Sequence, residues 1–204
     1  MSAAPINPQN IEQTISFHGH WCPGLAIGIR AAQWALKEMG KAPDEEIVAV
    51  VETDMCGVDA IQYLVGCTFG KGNLIHKDYG KNAFTFYRRR DGKSARLVMR
   101  SNPYGEDGLK LRALMRKSQE GGLTAVEEKT REEIRDRMAQ FIMNVPFEDL
   151  FTVTPPSEPV PLKARILSSL ICANCGEAVM ESRVRHFQDQ ILCLPCFEAA
   201  ERRN

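Results

Sequence analysis

The sequence predicts an α+β core, mixed helix and antiparallel sheet, followed by a small zinc-ribbon-like domain with four cysteines. Three observations carry that expectation. Helical apolar periodicity recurs over residues 23–40 and 124–146, whereas strand patterns are few, gather around one hairpin and show no βαβαβ rhythm. Pro155, Pro156, Pro159 and Pro161 crowd together, the mark of an extended, semi-rigid linker. Beyond them stand Cys172-x2-Cys175 and Cys193-x2-Cys196, a spacing that suits tetrahedral zinc ligation. The expected boundaries are a core over 1–153, a linker over 154–163 and a zinc-finger domain over 164–204.

The elements follow in order. Residues 9–17 read as a short helix that leads into the loop Phe17-His18-Gly19-His20-Trp21-Cys22-Pro23-Gly24. A second helix then presents Leu25, Ile29, Ala32, Leu36 and Met39 on one stripe. Pro23 suits its first turn and Gly40 its C-terminal cap. Residues 46–53 form a strand buried on both faces at its centre. A short helix through Ala60, Ile61, Leu64 and Val65 follows, then a glycine-rich loop from Gly66 to Asn73.

Strands over 82–90 and 94–101 flank Asp91-Gly92, a two-residue hairpin signal. Phe84, Phe86, Leu97 and Met99 supply their buried face. A break over Asn102–Gly108 precedes a helix at about 109–119. In the next helix Thr124 and Glu127 form a capping box, and Glu127–Arg131 and Glu133–Arg137 are favourable i,i+4 pairs. Ile134, Met138, Phe141, Ile142 and Val145 point inward, and Pro146 closes the helix.

The 204 residues carry 44% hydrophobic and 25% charged residues, with Lys+Arg and Asp+Glu both at 26. That is the balance of a soluble globular protein, and it requires neither nucleic acid nor an anionic membrane as partner. No secretory signal or membrane-spanning run is legible, so the expected location is cytoplasmic. Cysteines there read as metal ligands or reactive groups rather than disulfides. Arg88, Arg89, Arg90, Lys93, Arg96 and Arg100 make the hairpin basic. The reading is a solvated or edge-protecting surface, with an anionic cofactor or acidic partner as the alternative.

The seven cysteines fall into two unlike groups. The rear four, with Gly176 giving room for a sharp turn, read as a structural zinc site. So short a segment buries little core, and zinc supplies roughly 10–16 kcal/mol of apparent binding energy. The front three, Cys22, Cys56 and Cys67, stand among His18, His20, Asp54, Asp59 and Lys71. A thiol at a helix N-terminus has its thiolate stabilised there. A nearby imidazole can accept its proton or share a metal. Each residue singly also has a plain explanation, as a small buried hydrophobe or a solvated side chain.

Phe17-His18-Gly19-His20-Trp21-Cys22-Pro23-Gly24, Cys56-Gly57-Val58-Asp59-Ala60-Ile61-Gln62 and Gly66-Cys67-Thr68-Phe69-Gly70-Lys71-Gly72-Asn73 together resemble the FmdE family of formylmethanofuran dehydrogenase proteins. Asp78-Tyr79-Gly80-Lys81 extends the resemblance over roughly residues 10–155. The tail resembles a DksA/TraR-type zinc finger, through Cys172-Ala-Asn-Cys175-Gly176-Glu177, Arg183 and Cys193-Leu-Pro-Cys196.

The first resemblance implies an α+β core, a homodimer and a Cys/His site. It also implies an association with the molybdenum or tungsten enzyme that fixes carbon dioxide onto methanofuran, with a molybdopterin- or tungstopterin-dependent oxidoreductase as partner. Standalone relatives also occur. Carried over by position, the site residues are His18, His20, Cys22, Cys56, Asp59, Cys67 and Lys71. Cys22, Cys56 and His18 or His20 are the expected ligands of a zinc, nickel or iron ion with an open position. Cys22, Cys56, Cys67, Asp59 and Lys71 are the catalytic candidates, with Cys67, Asp59 and Lys71 orienting. Three functions stand open: an accessory or standalone metal-binding protein, a self-sufficient thiol- or metal-dependent enzyme, and a regulator acting through its zinc finger.

Overall fold

Helix α2 (Pro23–Glu38) is the element around which the core forms, because its apolar stripe is wide enough to be buried on nearly every turn. Leu25, Ile29, Ala32 and Ala35 are fully buried. They share one hydrophobic cluster with Phe84, Phe86 and Leu97 of the sheet and with Ala139 and Ile142 of a later helix. The computed structural model describes residues 6–41, 44–101 and 104–202. It divides into two units, Met1–Lys163 and Ala164–Asn204. Among the described residues no helix is long and apolar enough to cross a membrane.

The first unit opens with α1 (Pro8–His18), capped by the Asn7 side chain on the Gln9 N–H at 3.0 Å. Strand β1 (Ile47–Val51) follows α2, and all five of its residues are buried. Helix α3 (Gly57–Ala60) runs on into a π-helical turn over Ile61–Val65. Strands β2 (Leu74–His76), β3 (Ala83–Arg88) and β4 (Ser94–Met99) come next. Then follow α4 (Gly105–Glu120), α5 (Ala125–Asn144), α6 (Phe147–Leu150) and β5 (Phe151–Thr154). The sheet order is β2-β1-β3-β4-β5. All pairs are antiparallel except β1–β2, where Val51 stands opposite His76.

Several expectations shift in detail. Strands β2 and β5 carry no readable pattern of their own, being three and four residues long, and their pairing to β1 and β4 creates them. The hairpin turn spans residues 89–93 rather than Asp91-Gly92 alone, closed by Arg88 N–H to the Lys93 carbonyl at 2.8 Å. Helix α4 begins at Gly105, inside the expected break, of which Asn102 and Pro103 lie outside the described residues.

The capping box at Thr124 and Glu127 forms, but the i,i+4 pairs do not. Glu127 meets Lys117, and Arg137 grips Asp107 at 2.9 and 3.1 Å. Arg131 pairs instead with Glu128 one residue nearer on its own helix, at 2.6 Å, while α4 supplies the partners of Glu127 and Arg137. Phe141 remains 43% exposed, so the inward stripe is Ile134, Met138, Ala139 and Ile142.

The basic hairpin is solvated only in part: Arg90, Lys93 and Arg100 are exposed, but several of its side chains also reach distant carbonyls. Arg88 donates to the Glu38 and Met39 carbonyls at the end of α2, at 3.3 and 2.8 Å. Arg100 donates to the Glu148 carbonyl at 2.9 Å. Arg89 donates to the Pro161 and Leu162 carbonyls at 2.5 and 3.2 Å. The proline-rich segment is thereby held along the sheet face that α2 leaves open, where Val160 packs against Val48, Val50 and Tyr87. Arg30, which interrupts an apolar run in the sequence, is 8% exposed and donates to the Ile142 and Met143 carbonyls at 2.8 and 2.7 Å. It meets the partial negative charge at the end of α5.

The second unit holds two hairpins and a helix. They are β6 (Ser169–Ile171) with β7 (Ala178–Met180), and β8 (Val184–Phe187) with β9 (Gln190–Cys193), followed by α7 (Leu194–Glu201). Its small core is Cys172, Leu192 and Cys193, closed by Phe187 and Phe197 in an edge-to-face pair.

Candidate metal centre

Gly19 ends α1 with φ +93°, and its N–H returns to the Ile15 carbonyl at 2.8 Å. That left-handed turn, which favours glycine, folds His20 back toward His18, their ring centroids 4.4 Å apart. Two residues later Cys22 takes the N-cap position of α2, and its sulfur accepts the Leu25 N–H at 3.4 Å. Pro23 in the first turn leaves no N–H to satisfy.

Cys56 arrives from α3, which lies against α2 with backbone touching backbone. A Cβ at Gly28 would stand 2.1 Å from the Gly57 carbonyl oxygen, and one at Gly24 would stand 3.1 Å from the Cys56 Cβ. No side chain larger than hydrogen fits at Gly28 without parting the helices. This approach brings the Cys56 sulfur to that of Cys22.

The ligand atoms of His18, His20, Cys22 and Cys56 all lie within 4.8 Å of one another. A tetrahedral shell with bonds of about 2.0–2.3 Å spaces its donors by about 3.5 Å, so small adjustments suffice. Asp59 stands behind the cluster: His18 Nδ1 meets Asp59 Oδ2 at 2.7 Å. A carboxylate only accepts, so Nδ1 carries a proton, and in the neutral ring Nε2 presents its lone pair. Nε2 faces the Cys22 sulfur at 3.9 Å. A carboxylate behind a histidine ligand is a recurrent support in zinc sites. Gln62 donates to the other Asp59 oxygen at 3.3 Å.

Burial, then the charges of His18 and Arg135, lowers the His20 imidazole below its ordinary range. A lowered value favours the neutral imidazole, the form that binds metal. Burial, then the Cys22 sulfur, raises the Cys56 thiol. A raised thiol is less readily ionised unless a cation stands beside it. Two thiols and two imidazoles suit zinc, iron or nickel.

Two of the sequence candidates lie elsewhere. Cys67 is fully buried, donates to the Ile47 carbonyl at 3.4 Å, and burial pushes its thiol to about 12. Ile47 opens β1, whereas the cluster lies at the strand's other end. Lys71 turns back onto the Gly66 carbonyl. The glycine-rich loop is instead pinned by Asn73, 1% exposed, whose side chain donates to the Ile47 carbonyl at 2.9 Å and accepts the Thr68 N–H at 2.9 Å.

A cleft of about 570 Å³ opens on the His18, Cys56 and Asp59 side of the cluster. Thr53, Asp54, Gln62, Phe69 and His76 also line it. Sequence reasoning left Phe69 without a role. Its 78% exposure beside polar neighbours is a property of the folded surface.

In the second unit the sulfurs of Cys172, Cys175, Cys193 and Cys196 also lie within 4.8 Å of one another. Backbone N–H groups of Cys175 and Cys193 bring the Cys172 thiol down to about 6, toward the thiolate that zinc binds. The Asn174 side chain donates to the Cys196 sulfur at 3.3 Å. The donors fit a closed structural zinc site.

Residues 17–152 match the family described as FmdE, Molybdenum formylmethanofuran dehydrogenase operon. Residues 165–202 match the prokaryotic dksA/traR C4-type zinc finger. A curated protein of Archaeoglobus fulgidus, described as a probable S-adenosyl-L-methionine-binding protein, is 31% identical over 197 residues. The match takes in 88% of this chain and 50% of that protein, so the chain spans about half the length of this relative. The crystal structure of a tungsten formylmethanofuran dehydrogenase FmdE-like protein from Syntrophus aciditrophicus covers 100% of both chains at 24% identity, with a TM-score of 0.61. That likeness shows a shared fold. By the match over residues 17–152, more than half its length, the chain belongs to the FmdE family and carries a C4-type zinc finger at its C-terminal end.

Proposed function

We propose that the chain is a metal-binding protein whose core centre, His18, His20, Cys22 and Cys56, serves a molybdenum- or tungsten-dependent oxidoreductase of the formylmethanofuran dehydrogenase kind, as an accessory or standalone relative. The observation that carries this reading is the convergence of four ligand atoms within 4.8 Å beside an open cleft. Membership of a family named for that dehydrogenase's operon supports the redox link. A bound metal would supply Lewis acidity to a group lodged in the cleft. His18, held by Asp59, keeps one lone pair aimed at the cluster, and His20, exposed on the surface, is the ligand with least holding it. The zinc finger stabilises the second unit.

Metal analysis of the full chain tests this. Two equivalents of metal per chain are expected. Cys22→Ser or Cys56→Ser should remove one, and Cys193→Ser the other. A wild-type chain with one equivalent, unaltered by Cys22→Ser, overturns the core centre. Failure to co-purify with or modulate a molybdopterin or tungstopterin enzyme overturns the accessory role alone.

A second reading is favoured by the cleft itself. Phe69 offers an aromatic surface and Asp54 a carboxylate beside the cluster, and the Archaeoglobus relative carries a name that refers to S-adenosyl-L-methionine. An adenosyl sulfonium ligand would place its base on Phe69 and its positive charge near Asp54. Calorimetric titration of the full chain with S-adenosyl-L-methionine, repeated with Phe69→Ala, tests it: saturable binding weakened by the substitution is expected, and no heat of binding ends this reading.

A further inference from the structure

A second cavity, of about 340 Å³, lies on the opposite face of the sheet, away from the metal cluster. The side chains of Val50, Thr85, Tyr87 and Arg96 form its floor, because alternate strand residues turn away from the α2 core. The loop carrying Lys77, Tyr79 and Lys81 makes one wall, and the strap Pro155–Glu158 makes the other. Asp78-Tyr79-Gly80-Lys81, a motif that the metal centre does not use, thus borders a cavity of its own.

The charges of this cavity are unevenly matched. Glu52, 6% exposed, is held by Arg96 through two bonds of 2.6 and 2.7 Å, so both groups are spent on each other. Lys77 is paired with Glu158 of the strap, and Tyr87 Oη donates to the Glu158 carbonyl at 3.2 Å. Lys81 is fastened by its backbone N–H to the Glu52 carbonyl at 2.8 Å. Its ammonium lies 5.7 Å from the Tyr79 ring centre, with no carboxylate partner among the described residues. The Lys77 ammonium lies 6.0 Å from the same ring. Tyr79 is 56% exposed. The exposed Tyr79 ring thus has two ammonium groups over it, one of them neutralised only by a carboxylate on the strap.

We infer that this cavity binds a phosphate monoester of an aromatic group, of the nucleoside monophosphate class, and that Glu158 is the internal anion it displaces. Once Glu158 swings out, Lys77 and Lys81 carry two positive charges, matching a dianionic phosphate. The ring stacks on Tyr79, an interaction open to any base because every base has a π-face. The Glu52–Arg96 pair stays intact beneath. The cavity is within the size range of small-molecule sites.

Adenosine 5′-monophosphate is the probe, titrated calorimetrically into the full chain, with inorganic phosphate and adenosine in parallel. One saturable site per chain is expected. Lys81→Ala and Tyr79→Ala, both at exposed positions, should each weaken it about tenfold with unaltered circular dichroism. Glu158→Gln should tighten it several-fold, whereas Glu120→Gln, an exposed carboxylate on α4, should leave it unchanged. Phosphate or adenosine alone should bind at least about tenfold more weakly. The inference is overturned by no saturation in either wild type or Glu158→Gln, by no effect of Lys81→Ala, or by Glu120→Gln acting as strongly as Glu158→Gln. Inorganic phosphate binding as tightly as the nucleotide also overturns it.

Discussion

Asp59 Oδ2 lies 2.7 Å from His18 Nδ1, joining residues forty-one positions apart in the chain. This contact decides which nitrogen of His18 is free. Asp59→Asn keeps the shape but can pair with either tautomer, and it removes the negative charge behind the ring. Metal affinity at the core centre should fall by about 10–100-fold. Competition with a chromophoric chelator reads the change, and zinc-finger occupancy should not alter. Unchanged core affinity would show that Asp59 does not position the histidine.

The close approach of Gly28 and Gly57 is the second point of leverage. Gly28→Ala puts a methyl group where the Gly57 carbonyl stands, so α2 and α3 must separate. Such overpacking costs about 1–3 kcal/mol. The melting temperature should drop, and core metal should be lost along with it because Cys56 moves with α3. A variant that melts lower but keeps its core metal would uncouple the helix contact from the site.

Glu52 and Arg96 make acid sensitivity predictable in sign. The hydrogen bonds from Arg96 hold the Glu52 carboxyl below its ordinary range, more than burial raises it. A lowered folded-state value contributes stability above the unfolded value, about 4.3, and that stability is lost as pH falls through the folded value. Glu52→Gln should destabilise the core by about 2 kcal/mol at pH 7 and flatten this part of the acid limb. Denaturant melts of both proteins between pH 7 and pH 3 would show the two curves converging. A constant gap across that range contradicts the assignment.

In the second unit, the core among the described residues is Cys172, Leu192 and Cys193, with Val179, Phe187, Cys196 and Phe197 packed against it. Cys193→Ser should abolish ordered structure over residues 165–202, read as rapid amide exchange there. Protection of β1 and β3 should persist, since their contacts lie within the first unit. Slow exchange in the variant's tail would show that the hairpins hold without the ligand.

Thr124→Ala tests the capping box, whose Thr124 side chain accepts the Glu127 N–H while Glu127 reaches back to the Thr124 N–H at 3.0 Å. A loss of about 1 kcal/mol is expected, measured by denaturant unfolding. No change would mean that α4, through Lys117 and Glu127, holds the helix start unaided.

Local signals were legible where the physics is local. The α2 stripe, the capping box, the β3–β4 hairpin and both cysteine pairs of the tail depend on residues within one turn or one strand of each other. Strands β2 and β5 escaped detection because three or four residues carry no period, and hydrogen bonds from a neighbour make them strands. The fate of the basic hairpin was equally invisible, since the carbonyls that engage Arg88, Arg89 and Arg100 come from distant segments.

The amino-acid sequence by itself determined the α+β class, the zinc-finger motif and the membership of His18, His20, Cys22 and Cys56 in ordered motifs. Only the tertiary structure decided that these four meet, that Asp59 stands behind them, and that Cys67 and Lys71 point elsewhere. The reason is the two-glycine contact between α2 and α3. A ligand set drawn from three segments exists only once their backbones pack, and that distance is written in no local pattern.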